Sequence, residues 1–182
     1  MMQTFLSLVE ARCSVRSYDD RLVEQEKIDR CLETARLAPS ACNAQPWKFI
    51  AVTDPQLKNE IAAHTFDPLL SFNRFTSTAP VIIVIATEKP TIVAQIGAAL
   101  KKRDFNLIDV GIAAENICLA AVDEGLGTCM IGWFNERAIK KLLHIPWRKR
   151  IGLLLTLGYP SKDYTRPKVR KKTGDVVSFN RY

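Results

Sequence analysis

The alternation of apolar and polar positions divides the chain into short helices and strands. Thr4 to Ala11 gathers Phe5, Leu6, Leu8 and Val9 into a first helix, which runs into Arg12-Cys13-Ser14-Val15-Arg16 and then polar residues to Arg21. A second helix is predicted from about Glu24 to Leu37, with Ile28, Cys31, Leu32 and Ala35 at helical spacing. Pro39 ends it, because a proline disfavours helical geometry in the residue before it. Trp47 to Val52 reads as a strand, and Asp54-Pro55 has the N-cap and first-turn chemistry of another helix. Pro80 to Thr87 is a β-branched run, the pattern of a buried strand.

The segment from about Asp104 to Glu124 predicts a long helix that is apolar almost all round, including Leu107, Ile108, Ile112, Ile117 and Leu119. So little polar face demands burial on nearly every side, at the centre of the fold or at a subunit interface. Gly125 and Gly127 are expected to supply left-handed residues that stop it. Thr128 to Phe134 then reads as a strand, Asn135 as the cap of a short helix through Leu143, and Ile151 to Tyr159 as the last strong strand. From Pro160 to Tyr182 no continuous apolar face remains, so this segment is either disordered or laid across another surface. The expected division is a domain over residues 1–160 and a C-terminal arm over 161–182.

Composition narrows the class. The chain has 182 residues, of which 47% are hydrophobic and 25% charged, as in a folded globular protein. At this length about 70% of the unfolded surface becomes buried. Apolar runs such as Pro80 to Thr87 are far shorter than a membrane span, and no basic stretch leads into an apolar signal core, so the expected location is cytoplasmic, with no membrane partner. Five scattered cysteines without a C-x-x-C pair argue against a disulfide framework or a zinc knuckle. The net charge of +7 is either a solvated basic surface or a set of cations for a phosphate-bearing ligand. A nucleic-acid module would need a basic face interleaved with aromatics, and the single tail cluster argues against it.

Several chemistries are set aside. Gly125-Leu126-Gly127 and Gly132 superficially resemble a dinucleotide loop, but they follow a helix and lead into a strand, the reverse of a phosphate-cradling helix start. There is no P-loop and no G-x-S-x-G elbow. With only His64 and His144, histidine-based metal or triad chemistry has little support, and no metal is expected.

Three segments carry positive signals. In Arg12-x-Ser14-x-Arg16, residues two apart on an extended backbone point the same way, so two guanidiniums and a hydroxyl line one side. Arginine offers phosphate a planar fork of donors, although a charged loop after a helix explains the pattern as well. Ala38 to Trp47 is a rigid loop of small residues with polar groups at Ser40, Asn43 and Gln45. It is a tightly packed turn or a surface offered to a flat polar ligand. Lys168-x-Arg170 adds two cations in the tail, and together the three resemble one anion site built from distant segments.

These residues resemble the nitroreductase family of FMN-dependent oxidoreductases. Arg12-Cys13-Ser14-Val15-Arg16-Ser17-Tyr18 is similar to its R-x-S-x-R-x-aromatic opening, and Ala38-Pro39-Ser40 through Trp47 to its A-P-S-x-x-N-x-Q-P-W loop. Glu124 to Gly127, with Ile131-Gly132-Trp133, resembles its E-G-L-G turn and flavin-facing strand, and Gly158-Tyr159-Pro160 with Arg166 to Arg170 its G-Y-P and R-P-K-x-R ending. The resemblance implies an α+β fold, three-layer α/β/α-like, with a mixed, mainly antiparallel central sheet flanked by helices, in an intertwined homodimer. It implies that Arg12, Cys13, Ser14, Lys168 and Arg170 hold the FMN phosphate and ribityl chain, with Arg16 near the pyrimidine edge. Asn73 would hydrogen-bond that edge. Met130, Ile131 and Gly132 would lie along the ring, with the Ile131 and Gly132 N–H groups facing its N5 and carbonyl. Pro39, Ser40, Ala41 and Asn43 would come from the second subunit. The implied activity is ping-pong hydride transfer at flavin N5, from NADH or NADPH to small acceptors such as nitroaromatics or quinones, with no side-chain acid or base. Alternatives within the same fold are reductive dehalogenation, flavin fragmentation, or a flavin sensor or carrier with little turnover. Thr76 stands where the family often has a lysine, and Lys171-Lys172-Thr173-Gly174 departs from its usual ending.

Overall fold

A computed structural model describes residues 4–67, 71–88, 104–162 and 164–182. Its sheet has four strands, β1 (Trp47–Val52), β2 (Val81–Thr87), β3 (Gly127–Ile131) and β4 (Arg150–Gly158), in the order β1-β2-β4-β3. Every strand pair is antiparallel. The parallel component expected of a mixed sheet is one isolated bridge, Ser14 to Thr128, on the outer edge of β3. The helices are α1 (Phe5–Ala11), α2 (Gln25–Arg36), α3 (Pro55–Ala63), α4 (Phe105–Asp123) and α5 (Glu136–Leu142).

Strand periodicity builds the layers. In β2, Val81, Ile83 and Ile85 face a core shared with α2 and α4, while Ile82 and Val84 face a second core shared with α3 and α5. Successive side chains point to opposite faces of a sheet, so a strand apolar at every position is a strand covered on both sides. The outcome is the expected α+β arrangement of helix, sheet and helix layers. Local signals set the helix starts. Asp54 Oδ1 accepts from the Leu57 N–H at 2.7 Å ahead of Pro55, and Asn135 Oδ1 accepts from the Ala138 N–H at 3.1 Å.

Two sequence expectations need correction. Helix α4 is not buried all round within the chain. Asp109, Val110, Ala113, Ala114, Ile117, Cys118 and Ala121 are buried, but Leu107 and Ile108 are 55% and 53% exposed, with Ile112 beside them at 36%. By length and composition alone α4 is also apolar enough to cross a membrane; its buried face packs in the first core. Gly125 does adopt a left-handed φ of +72°, ending α4, whereas Gly127 lies in β3. What Gly127 provides is close approach, since a Cβ there would lie 2.4 Å from Val15 Cγ2.

The five cysteines are unpaired. Burial pushes the thiols of Cys31 and Cys118 up to about 12, so both remain protonated and behave as small core hydrophobes.

Gly158 carries a testable consequence. A Cβ there would meet Pro80 Cδ at 2.5 Å and Tyr18 Cδ1 at 2.9 Å. The ring of Pro80 cannot swing aside, so Gly158→Ala is expected to destabilise the chain by about 1–3 kcal/mol in urea unfolding. An unchanged midpoint would contradict this packing.

Candidate functional site

The site begins with an edge strand extended by the chain's N-terminal segment. The Val15 N–H donates to the Thr128 carbonyl at 2.8 Å, laying residues 14–15 along the outer edge of β3. Tyr18 is buried beneath. Its hydroxyl donates to the Val15 carbonyl at 3.0 Å and shares a 2.6 Å bond with Thr156 Oγ1, and burial pushes the phenol well above its usual range. The Asp19 N–H donates to the Tyr159 carbonyl at 3.0 Å, so this segment follows the sheet across the end of β4.

The C-terminal segment is tied back over it. Ser161 N–H donates to the Ser17 carbonyl at 3.0 Å, Tyr164 Oη to the Ser14 carbonyl at 2.6 Å, and Lys168 Nζ to the Val9 carbonyl at 2.5 Å. Arg166 also donates to the Ser14 carbonyl, at 3.3 Å. These bonds gather Arg12, Cys13, Ser14, Arg166, Lys168 and Arg170 around one small cleft of about 120 Å³. Partial loss of hydration, then repulsion from Arg12 and Arg170, lowers the Lys168 ammonium below its usual range. Glu115 of α4 stands 3.4 Å from Arg12 Nε and is the carboxylate of this neighbourhood. Cations held together against their own repulsion form a receptor for a small dianion.

The sequence candidates thus fall into groups. Arg12, Cys13, Ser14, Lys168 and Arg170 converge on the cleft. Arg166 joins them although it was not singled out; its place in the same short tail motif as Lys168 and Arg170 was the available signal. Arg16 is exposed, with its guanidinium 5.9 Å from the centre of the Phe75 ring. Met130 is 38% exposed on β3, Ile131 is buried and pairs with Leu154, and Gly132 is exposed just past the strand. Alternation along β3 aims the Met130 N–H to the same outer side as the Thr128 carbonyl, and the Ile131 N–H toward β4, so the Ile131 N–H expected to face a ligand is turned into the sheet and the Met130 N–H takes the outward position.

Asn73 is buried, and its Nδ2 donates to the carbonyls of Thr65 at 3.0 Å and Trp133 at 3.3 Å. Two carbonyls can only accept, so they fix the orientation of the amide and leave Oδ1 as its acceptor end. Thr76 is fully buried, 2.7 Å from Thr65 Oγ1 and donating to the Asn73 carbonyl at 2.9 Å. It supports Asn73 from below rather than facing a ligand. Phe72 and Trp133 stand above, more than half exposed, with ring centres 6.5 Å apart.

The loop bearing Pro39, Ser40, Ala41 and Asn43 is held separately. Ser40 Oγ accepts from the Gln45 N–H at 2.9 Å, and Asn43 Oδ1 from Gln45 Nε2 at 3.1 Å. The Ala41 N–H is shared by both oxygens of buried Asp109, at 3.1 and 3.3 Å. Cys42, Asn43 and Gln45 all have positive φ, between 46° and 53°, a strained backbone that these bonds hold in place. Asp109 and Glu115 are six residues apart on α4, so the loop and the Arg12 cleft lie about 9 Å apart along the helix axis and on different faces of it.

The chain is also similar to known proteins. The profile described as the Nitroreductase family matches residues 9–159. A protein of Archaeoglobus fulgidus, provisionally named an NADH dehydrogenase/NAD(P)H nitroreductase, is 34% identical over 89% of this chain and 88% of its own length. Human iodotyrosine deiodinase 1 is 29% identical over 96% of this chain and 68% of its own. The solved structure of an FMN-dependent nitroreductase from Clostridium difficile R20291 superposes with a TM-score of 0.79 at 27% identity, covering 97% of this chain and 99% of that one.

The cleft has a direct physical consequence. Inorganic phosphate should stabilise the folded chain where chloride at equal ionic strength does not. With a Kd of roughly 10 mM, about 100 mM phosphate would add about 1.4 kcal/mol. Arg170→Ala should remove the effect, read as the shift in thermal midpoint; equal shifts in both salts would rule out a specific anion site.

Proposed function

The chain belongs to the nitroreductase family, and from that premise we propose that it is an FMN-dependent oxidoreductase passing electrons from NADH or NADPH to small acceptors such as nitroaromatics or quinones. The observation that carries the reading is the convergence of Arg12 and Ser14 with Lys168 and Arg170, from opposite ends of the chain, on one cleft. A phosphate monoester suits that cleft in size and charge. FMN, when bound, supplies hydride transfer at its N5. The chain's part is binding, orientation and electrostatics. Arg12, Ser14, Lys168 and Arg170, with Cys13 lining the same cleft, hold the phosphate and ribityl chain. Arg16 sets positive charge beside the pyrimidine edge. Asn73, its amide fixed by Thr65 and Trp133, offers Oδ1 to an N–H of that edge. The outward N–H of Met130 and the exposed backbone of Gly132 line the ring, with Ile131 behind them.

The same reading gives the chain a second copy. The exposed apolar face of Leu107, Ile108 and Ile112, and the exposed Val169, Val176 and Phe179 of the arm, are surfaces that one chain leaves uncovered. In the proposed homodimer the arm of residues 161–182, tied to its own chain as far as Lys168, packs on the partner beyond that point. The strained loop of Pro39, Ser40, Ala41 and Asn43 completes the partner's site, which suits its position on a different face of α4 from the chain's own cation cleft. Five unpaired cysteines suit a reducing cytoplasm. A second reading, reductive dehalogenation of an aromatic acceptor at the same site, is favoured by the similarity to iodotyrosine deiodinase 1.

Two measurements test this. The purified protein should be yellow, bleach with NADH or NADPH, and bind FMN more tightly than riboflavin. Arg12→Ala and Arg170→Ala should each weaken FMN by roughly 10- to 100-fold, the loss of one charge-assisted bond, while weakening riboflavin, which lacks the phosphate, much less. Equal affinity of the unaltered chain for both flavins would refute the phosphate assignment. Ile108→Asp with Ile112→Asp should shift the molecular mass by light scattering from two chains to one, with loss of bound flavin; retention of both would refute the shared site.

A further inference from the structure

A second cationic feature lies at the other end of β4. Between residues 136 and 150 the chain carries six cations, Arg137, Lys140, Lys141, Arg148, Lys149 and Arg150, and one carboxylate, Glu136. Thr128, which pairs with Ser14 at the first cleft, sits opposite Leu157, whereas Arg150 begins β4. Seven residues of strand separate the two ends, about 23 Å, so this is a different place from the Arg12 cleft.

The cations here are not equivalent. Lys140 Nζ donates to the carbonyls of Trp147 at 2.6 Å and Lys149 at 2.5 Å, pinning the loop after α5. Lys149 pairs with Glu88. Arg150 Nε bonds both oxygens of Glu136, at 2.9 and 3.0 Å, and the Ile151 N–H also donates to Glu136, at 2.9 Å. The one carboxylate is therefore already engaged. Arg137 and Lys141, a turn apart on α5, line a cleft of about 460 Å³ together with Trp147. That indole is 79% exposed although its loop is pinned. Arg148 lies 5.0 Å from the indole centre but is not among the residues that line the cleft.

We propose that this cleft binds a free mononucleotide, its base stacked on Trp147 and its phosphate held by Arg137 and Lys141. An exposed aromatic ring accepts any base, and two cations without a hydrogen-bond or ion-pair partner among the described residues, beside a neutralised carboxylate, accept phosphate. The volume lies in the range of small-ligand sites. A membrane surface fits less well: the feature is concave, and Ile145, the other apolar residue lining it, is half-buried, so no apolar patch protrudes.

The test is calorimetric titration of the flavin-loaded full chain with AMP and ATP, for the unaltered chain, Trp147→Ala, and Arg137→Gln with Lys141→Gln. One saturable site is expected, weakened at least tenfold in both variants, with NADPH-dependent turnover and its KM unchanged. Absence of binding, or binding that neither variant weakens, overturns the proposal. So does a raised KM for NADPH in Trp147→Ala, which would make the cleft part of donor binding. Far tighter binding of a single-stranded oligonucleotide overturns the free-nucleotide assignment, and equal binding of base-free polyphosphate overturns the stacking. A melting temperature within a degree or two of the unaltered chain's confirms that each variant is folded.

Discussion

The hydrogen bonds that strap residues 161–168 back across residues 9–17 are the constraint on which the rest depends. Lys168 is placed by the Val9 carbonyl, and Tyr164 and Arg166 by the Ser14 carbonyl. Without those neutral anchors, like charges from the two ends of the chain would move apart, because nothing in Coulomb's law draws them together. The lowered ammonium of Lys168 reflects that opposition, through lost hydration and through Arg12 and Arg170. A fold that holds cations together in this way keeps a free energy that an anion bound there would release, which is how the strap bears on the proposed function.

The strap in turn needs a rigid floor. Tyr18 supplies it, buried between Val15 and Thr156 and bridged to Pro160, so that both chain ends refer their positions to β3 and β4. The glycines at 127 and 158 allow this approach, since side chains there would strike Val15, Pro80 and Tyr18. Helix α4 serves as a second ruler. One carboxylate on it, Asp109, holds the loop at Ala41, and another, Glu115, stands beside Arg12. Two of the polar residues that interrupt this largely apolar helix thus hold the Ala41 loop and stand beside the Arg12 cleft.

Much was legible in the chain itself. The strand at 47–52 lies where β-branched and aromatic residues predict it, and Asp54 and Asn135 cap their helices as their chemistry requires. Those features depend on neighbours within four or five residues, so sequence order carries them. That Arg12 and Arg170 share a site was suggested by their anion-binding chemistry and by motif resemblance, but no local rule could bring them together, because the sequence separates them by almost the whole chain.

Three outcomes belonged to the tertiary structure. Gly125 and Gly127 look alike in sequence, but one ends a helix and the other makes room for Val15, a contact that depends on a segment over a hundred residues away. Thr76, at a position where charge was expected, is a buried hydroxyl beneath Asn73, because Thr65 folds over it from the end of another helix. The cations of residues 137–150 form no motif in the sequence, and only the fold shows which are bonded to carbonyls or carboxylates and which line a cleft. Sequence by itself determined the elements, their caps and the family, since these rest on local periodicity and short motifs. Which groups meet, and which remain free to bind, was decided only when distant segments had competed for the same hydrogen bonds.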